Sequence, residues 1–575
     1  MSVEFSGSGL KPEGRTALVS AKANNSDADH TAVSGLTGND AAAVQGSLER
    51  LLGWWNPPIL SETWFLLLFL GALAFACALR AWTGLNGMRF WVHDAFVFLD
   101  GAWRVLNGQV PYNDFSTDTG TFVHVLNAFG LVLAHGASRG LAYGQSIMGF
   151  IVGVWAYALS RRRLSPMGAV LMTSMLVLLT IAPFDVGNRP TMTSPAMVYN
   201  RYGFALVALA IIETVCDRRP TNTRVSEFLG GLSTGIVLIL LLFIKISYFL
   251  GTGLLLLLLV MCRRQSLWRW AGLITGTATA FVPFLIYMHW SLAPMWANLR
   301  MLAGAKHAIW GWHIVEAAYA SALPFLLFAF LAFALLRRHR AHAEARAVLV
   351  LSASVAAVGM CFVFANFPGS RLPLNAVAAI IIMDCIAEGH IGKPRAETLM
   401  RAAVLVFGAL FVFNSIFLDG IGVAYGVWSR WSVQSIPGST FNAPTLAGFS
   451  TFDTNYTHYI DDGLALAQQY RRPRDTIACL EFSNPFSYAF RIRPAWGGTP
   501  TGLQFRTNFD DTHKIPPDRL FGHADLLMMP QPNKFSDPTL AANIPRVYGP
   551  YIQQHFHLVG ETAFWRAYRN NKDRN

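Results

Sequence analysis

Residues 93–115, HDAFVFLDGAWRVLNGQVPYNDF, follow an apolar run at 62–82 that is long enough to cross a membrane as a helix. The acids of this stretch and its flank are Asp94, Asp100, Asp114 and Asp118, in a chain that is only 14% charged. Acids near a membrane surface are costly and usually have a function. Within the stretch, residues 95–108 carry apolar side chains at helical spacing, which predicts an amphipathic helix lying on the membrane.

The chain as a whole has the composition of an integral membrane protein. It is 575 residues long, 53% hydrophobic and 13% aromatic, and apolar runs of about 20 residues recur along it. The formal net charge is +12, but the basic residues form short clusters between apolar runs. That arrangement is typical of cytoplasmic loops and argues against nucleic-acid binding. The six cysteines show no pair at metal-ligand spacing, so neither a zinc site nor a disulfide framework is indicated.

Apolar segments predict the path of the chain through the membrane. They lie at 62–82, 120–137, 142–160, 165–183, 197–216, 226–244, 246–262, 270–289, 316–336, 347–365, 372–387 and 402–418. Basic clusters fill alternate gaps and identify those gaps as cytoplasmic. The N-terminal tail is then inside and the C-terminal region outside, which needs an odd number of spans. Segment 120–137 holds two histidines and an asparagine, so we expect it to dip into the outer leaflet while about eleven others cross; a missed span elsewhere is the alternative.

Three regions are predicted along the chain. Residues 1–58 are rich in small and polar residues and predict a disordered cytoplasmic tail. Residues 59–420 predict an all-α polytopic membrane bundle of about eleven or twelve transmembrane helices, with a first extracytoplasmic loop at 83–119. Residues 421–575 predict a linker and a small extracytoplasmic α/β domain. Its expected elements are a helix at 464–472 and strands at 475–482, 524–530 and 555–561.

The first loop resembles that of a known superfamily. An acid after the first span, an interfacial helix ending in GQVPYNDF (108–115) and many later spans resemble the C-type glycosyltransferases, which include protein O-mannosyltransferases and lipid A aminoarabinose transferases. Members of that superfamily take a sugar from a polyprenyl-phosphate carrier on the outer face of the membrane. The resemblance extends from about 60 to 420 and is sharp only at 93–118.

The resemblance implies that Asp94 is the general base. The alternative is that Asp94 merely caps the helix that follows it. Two departures from the superfamily pattern stand out. The pair His93-Asp94 replaces an Asp-Glu pair, and STDTGTF (116–122) contains no cation where several branches place Lys-Pro-Pro. The donor phosphate must therefore be held by other residues, or the subgroup differs.

Several other residues are candidates for substrate binding. The resemblance also implies a second functional acid in the loop after 165–183, for which Asp185 is the candidate by position. Arg201 and Arg371 stand at membrane edges where a planar guanidinium would bind phosphate oxygens. For Arg201 the alternative is snorkelling to the interface, and for Lys245 it is a structural ion pair. For Asp114 the alternative is closure of a turn. The predicted substrate-binding residues are His93, Tyr112, Asp114, Asp185, Arg201, Lys245, Lys306, His307 and Arg371.

Together the loop and the resemblance predict a glycosyltransferase of the bacterial inner membrane. It would move a sugar from a polyprenyl-phosphate donor to a hydroxyl of a lipid, glycan or protein on the outer face. One carboxylate suffices as base, because a phosphate leaving group needs no proton. No cofactor is required; a divalent metal held by Asp94 and Asp114 is an option. The alternatives are a polytopic transporter or flippase of envelope lipids or glycans, and a non-catalytic scaffold that binds an envelope partner.

Overall fold

The protein is a helical membrane bundle followed by a small α/β domain. The computed structural model describes residues 55, 58–215, 223–261, 265–305, 312–338, 342–366, 371–388, 395–432, 446, 449–500, 503–532 and 538–574. The helices of the first part are α1 Thr63–Thr83, α2 Asp94–Leu106, α3 Thr121–Leu133, α4 Gly140–Ser160, α5 Pro166–Ile181, α6 Val198–Val215, α7 Arg224–Ile244, α8 Ile246–Met261, α9 Leu267–Tyr287, α10 Ala293–Ala305, α11 Trp312–Ala317, α12 Leu323–Arg338, α13 His342–Asn366, α14 Pro373–Glu388 and α15 Arg395–Ser432. A π-helical turn, Ala318–Ala322, joins α11 to α12.

The helix lengths agree with the predicted path through the membrane. Within the described ranges, eight helices are long and apolar enough to cross a bilayer: α1, α4, α6, α7, α9, α12 with the turns before it, α13 and α15. Helices α5, α8 and α14 are apolar but shorter, with 16 residues each, and coincide with three further predicted segments. Helix α3 has 13 residues, a length of about 20 Å, against the ~30 Å of a hydrocarbon core. The prediction that 120–137 dips into the outer leaflet requires a helix of such a short length.

Helices α7 and α9 pack backbone against backbone through glycines four residues apart. A Cβ atom at Gly235 of α7 would lie 2.4 Å from the Leu273 carbonyl oxygen, and one at Gly276 of α9 would lie 2.1 Å from the Leu232 oxygen. Small residues at this spacing let membrane helices approach closely. The close packing fixes α7 against α9, and the chain turns from α7 into α8 at Lys245.

The last membrane helix runs on into the C-terminal part of the chain. Helix α15 has 38 residues, a length of about 57 Å, so the predicted boundary at 420 is wrong: the helix continues to Ser432. Two short strands, β1 Leu85–Met88 and β2 Phe449–Thr451, then pair in parallel, with Leu85 opposite Phe449. The first loop and the C-terminal region thus share a sheet.

The C-terminal domain is built around a four-stranded sheet, as predicted. Its elements are α16 Thr454–Tyr470, β3 Ile477–Cys479, α17 Phe486–Ala489, α18 Pro517–Leu520, β4 Leu526–Pro530, α19 Pro538–His555, β5 Phe556–Glu561 and β6 Trp565–Asn570. The strand order is β3-β4-β6-β5, with the first pair parallel and the others antiparallel. The three expected strands exist within their predicted ranges, whereas β6 was not predicted. The expected helix at 464–472 begins ten residues earlier, because Asp453 accepts a hydrogen bond from the Tyr456 N–H and caps it.

Helix α2 is enclosed rather than laid on a surface. Every residue from Ala95 to Ala102 is buried. Helix α3 covers one side and the C-terminal domain the other, where the Trp103 indole N–H donates to the Ile492 carbonyl at 2.8 Å and Arg104 Nη1 donates to that of Ala495 at 3.0 Å. The helix itself was predicted correctly. The prediction that it lies on the membrane surface was wrong, because a domain about 390 residues further along the chain covers it.

Most of the predicted N-terminal tail lies outside the described residues. Trp55 is described, and its indole N–H donates to Asp384 Oδ1 on α14 at 3.1 Å. Nothing in the described part bears on whether residues 1–54 are disordered.

Candidate active site

Hydrogen bonds gather the loops at one end of the bundle, the end predicted to be extracytoplasmic. The Arg89 N–H in the first loop donates to the Thr193 carbonyl in the α5–α6 loop at 2.9 Å. The Gly120 N–H, at the end of the same loop, donates to the Ile244 carbonyl in the α7–α8 turn at 2.9 Å. Acids and cations that are far apart in sequence therefore meet here.

Asp94 occupies the first turn of α2 without capping it. His93 is the N-cap residue, and no side chain makes a capping hydrogen bond there. The Asp94 carboxyl instead has Oδ1 at 3.3 Å from His93 Nε2, and its side chain is 15% exposed. The geometry therefore does not support the alternative in which Asp94 caps α2. Burial, then the charges of Asp185 and Asp118, raise the pKa of Asp94 well above its usual value.

The two neighbouring acids come from different loops. Asp118 lies just before α3, where its Oδ1 accepts a hydrogen bond from the Thr119 hydroxyl at 3.1 Å. Asp185 lies between α5 and α6 and is 3% exposed. Asn188 donates to Asp185 Oδ2 at 3.2 Å, whereas Oδ1 has no hydrogen-bond partner among the described residues. Burial raises the pKa of Asp185 to about 7, against the opposing influence of Arg201.

Tyr199 lies among the three acids and was not singled out from the sequence. It stands in the first turn of α6, within electrostatic range of Asp118, Asp94 and Asp185. The ammonium of Lys245 lies 4.9 Å from the centre of its ring, a cation–π contact. The prediction that Lys245 sits at a turn between two apolar helices is correct, and the turn places it beside the acidic cluster.

The C-terminal domain contributes side chains to the same place. The Phe482 ring meets the His93 ring edge to face, with centroids 4.3 Å apart, and the Tyr456 ring lies 6.4 Å from His93. Tyr456 is close enough to Asp94 for the carboxylate to contribute to a raised pKa of the phenol, after burial and Glu481. The domain therefore forms part of the wall around Asp94.

Asp114 and Tyr112 form a turn beside the acidic cluster. The Val110 N–H donates to Asp114 Oδ2 at 2.7 Å. Asp114 therefore closes a turn, which was the alternative to a role in substrate binding. Tyr112 has a positive φ of 70° and is buried, and its carbonyl oxygen accepts a hydrogen bond from Arg519 Nη2 at 2.8 Å. These contacts make the two residues part of the loop's scaffold. Among the described residues, the Asp94 carboxyl contacts His93 and the Asp114 carboxyl contacts the Val110 N–H, so the two acids have different partners.

Arg201 and Arg371 share one buried carboxylate, that of Asp419. Arg201 Nη1 lies 3.1 Å from Asp419 Oδ1, and Arg371 Nη2 lies 2.8 Å from Asp419 Oδ2. The Arg201 side chain is 1% exposed, and its Nε donates to the Phe184 carbonyl at 2.6 Å. Against the expectation of a phosphate clamp, Arg201 fixes the loop residue that precedes Asp185. The reason is physical: a cation at this depth requires a counter-ion, and α15 supplies one.

Two of the predicted substrate-binding residues, Lys306 and His307, lie outside the described residues. Within the part of the chain that the structure describes, no group of three or more His, Cys, Asp or Glu side chains is arranged to hold a metal ion. The residues that sequence reasoning missed are Tyr199, Tyr456 and Phe482. Tyr199 follows closely after the loop that bears Asp185, in the first turn of α6, whereas no local sequence signal marks the other two.

Comparison with known proteins gives similarity of fold at low sequence identity. The chain is similar to ArnT from Cupriavidus metallidurans in the apo state, with a TM-score of 0.49 and 12% identity over 88% of this chain and 98% of that one. The structure of the same protein bound to undecaprenyl phosphate gives a TM-score of 0.48 and 13% identity, with the same coverage. No family model and no curated protein matches the chain. Inferences about function therefore rest on this chain's own residues.

Proposed function

We propose that this protein is a membrane glycosyltransferase that moves a sugar from a polyprenyl-phosphate carrier to a hydroxyl acceptor on the outer face of the membrane. The observation that carries the proposal is the meeting of Asp94, Asp118 and Asp185 beside Lys245 at one end of a polytopic bundle. Buried acids kept close to one another have raised pKa values, which is a common property of catalytic sites.

Asp94 is the base in this proposal. A raised pKa makes its carboxylate a stronger base than an exposed one, which favours removal of a proton from a hydroxyl. As the acceptor oxygen attacks the anomeric carbon, the bond from that carbon to the phosphate oxygen breaks. Asp94 receives the hydroxyl proton, and the polyprenyl phosphate leaves with the electron pair. The side chain is partly exposed, so an acceptor can reach it.

Lys245 is the cation we assign to the departing phosphate. It stands at the tip of the α7–α8 turn, beside Tyr199 and so beside the acids. A compact ammonium suits a phosphate as a point charge, and an apolar surrounding strengthens the attraction. Arg201 and Arg371 contribute indirectly, because they hold the α5–α6 loop and α15 together.

The second candidate is a transporter or flippase of envelope lipids or glycans. Such a protein places charged groups along a path through the bundle. The acids described above instead gather at one end, at loops and helix starts, which favours chemistry at the surface. Movement of lipid without bond breakage is the property that separates the two functions.

The test uses the full chain in proteoliposomes with a panel of polyprenyl-phosphate pentoses and hexoses, tritiated in the sugar. Release of polyprenyl phosphate is measured for the wild type, Asp94→Asn and the matched surface control Asp511→Asn, whose side chain is 57% exposed. We expect Asp94→Asn to lose about 10²–10⁴-fold in rate and the control to lose nothing measurable.

Two results would reject the enzyme. One is a normally folded Asp94→Asn protein that transfers sugar at the wild-type rate. The other is movement of a fluorescent polyprenyl phosphate across the bilayer, followed by quenching from outside, with no release of sugar from any donor. The second result would establish the flippase.

A further inference from the structure

We propose that His93 is a positioning residue that carries the proton away from Asp94 after each transfer. The inference rests on the function proposed above and adds a residue to it. It begins from the contact between His93 Nε2 and Asp94 Oδ1 at 3.3 Å, which couples the two side chains directly.

The exposure of the two side chains gives the path a direction. Asp94 is 15% exposed and His93 is 33% exposed, so the imidazole is the more open member of the pair. A base that takes a proton in each cycle must lose it before the next one. Through His93 the proton can reach water without passing back across the acceptor.

The C-terminal domain holds the imidazole in place. The Phe482 ring packs edge to face against it at 4.3 Å between centroids, an arrangement that fixes a ring's orientation. Phe482 follows strand β3, and α17, just after it, packs against α2. The ring that orients His93 is thus anchored to the helix that begins at Asp94.

The charges around the pair favour a transient imidazolium. Asp118 and Asp185 act on Asp94 from the α3 side and from the α5–α6 loop. On the C-terminal side, Tyr456 of α16 faces the pair, with Glu481 beside it. Neighbouring negative groups stabilise a protonated histidine. The surroundings therefore support His93 as a proton acceptor of moderate strength.

The proton step balances as follows. Asp94 gains the hydroxyl proton when the glycosidic bond forms and becomes a neutral carboxylic acid. Its O–H donates to His93 Nε2, which requires the resting tautomer to carry its proton on Nδ1. The imidazolium then releases a proton to water or buffer, and both side chains return to their starting states. No other reactant is needed.

The experiment compares wild type with His93→Gln in the proteoliposome assay, at constant pH and rising concentrations of imidazole buffer. Glutamine keeps a hydrogen-bonding nitrogen near the position of Nε2 but cannot take up a proton. We expect kcat to fall by about tenfold or more with KM little changed, and to recover as the buffer concentration rises. The wild-type kcat should not respond to buffer.

The possible outcomes distinguish failure of the proton path through His93 from failure of the proposed glycosyltransferase function. A wild-type kcat in His93→Gln, or a loss that no concentration of imidazole restores, would overturn the proton path while leaving Asp94 as base. If His93→Gln does not fold, His93→Asn takes its place, with the same buffer series. Failure of the glycosyltransferase itself would appear separately, as full activity in Asp94→Asn.

Discussion

Two sets of buried acids, at opposite ends of the bundle, are held in different ways. At the end predicted to be cytoplasmic, the Glu213 side chain is fully buried, and its Oε1 receives Arg163 Nη2 at 2.5 Å and Arg269 Nη2 at 3.4 Å. Arg269 also lies 4.0 Å from Glu227. Glu213 and Glu227 thus each have an arginine at ion-pair distance.

At the outer end, Asp419 is paired with two arginines, but Asp94 and Asp185 are held differently. Asp94 has the His93 imidazole beside it and Asp185 has the Asn188 amide, and within the described residues neither has a lysine or arginine at ion-pair distance. Burial raises the pKa of both carboxyls, and at Asp94 the charges of Asp185 and Asp118 raise it further. Paired charges keep a fold in register, whereas acids left with a high pKa are ready for proton transfer.

The largest effect expected from this contrast concerns stability. Glu213→Gln should cost about 3–5 kcal/mol, because it leaves two partly buried arginines without their shared buried carboxylate. Asp94→Asn should cost nothing, because it removes repulsion from two neighbouring acids. Thermal unfolding in detergent measures both, with the exposed Glu344→Gln as the matched control. Equal destabilisation by Glu213→Gln and Asp94→Asn would remove the distinction between the two ends.

The next effect tests how the outer end is held together. Arg201→Lys keeps the charge but loses the guanidinium donors that reach the Phe184 carbonyl and Asp419 together. We expect a loss of about 1.5–3 kcal/mol in unfolding free energy and a lower transfer rate, because the loop bearing Asp185 is released. The exposed Arg300→Lys is the control. Unchanged stability would contradict a structural role for Arg201.

A smaller effect is expected in the pH profile. Transfer should rise with pH as Asp94 loses its proton, with a midpoint well above the usual carboxylic range. The negative charge of Asp185 contributes to that raised pKa, so Asp185→Asn should move the midpoint to lower pH. The rate is measured from pH 5 to 9, with Asp511→Asn as control. A midpoint that stays fixed or moves upward would show that the two carboxyls are not coupled.

The smallest effect concerns the wall that the C-terminal domain provides. Phe482→Leu keeps the volume apolar but loses the edge-to-face contact with His93, worth about 0.5–1.5 kcal/mol. We expect kcat to fall by roughly two- to tenfold with KM unchanged. Phe505→Leu, in the same domain, provides the comparison. A loss confined to KM would indicate instead that Phe482 contacts the acceptor.

Local signals predicted much of the fold. Apolar length predicted the eight helices that are long enough to cross a bilayer, and helical spacing predicted α2 to within two residues at each end. Three of the four strands of the C-terminal sheet were also predicted. The prediction that α2 lies on the membrane surface was wrong, because the C-terminal domain, about 390 residues further along the chain, covers the helix.

The site was predictable only in part, for the same reason. Asp94 and Asp185 were found from their place after apolar spans, and the structure brings them within reach of each other. Arg201 and Arg371 were assigned to phosphate because Asp419, their counter-ion, lies just past the predicted end of the last span. A pairing 218 residues apart leaves no trace in local composition.

The pairing of β1 with β2 sets the order in which the molecule is completed. Leu85 is made early during synthesis, while its partner Phe449 follows 364 residues later. The first loop must therefore wait, after its membrane helix has been inserted, until almost the whole chain has left the ribosome. Contacts between such distant segments form late. A chain truncated after α15 would carry every predicted span and still lack a finished outer face, so a premature stop there yields an inserted but incomplete protein.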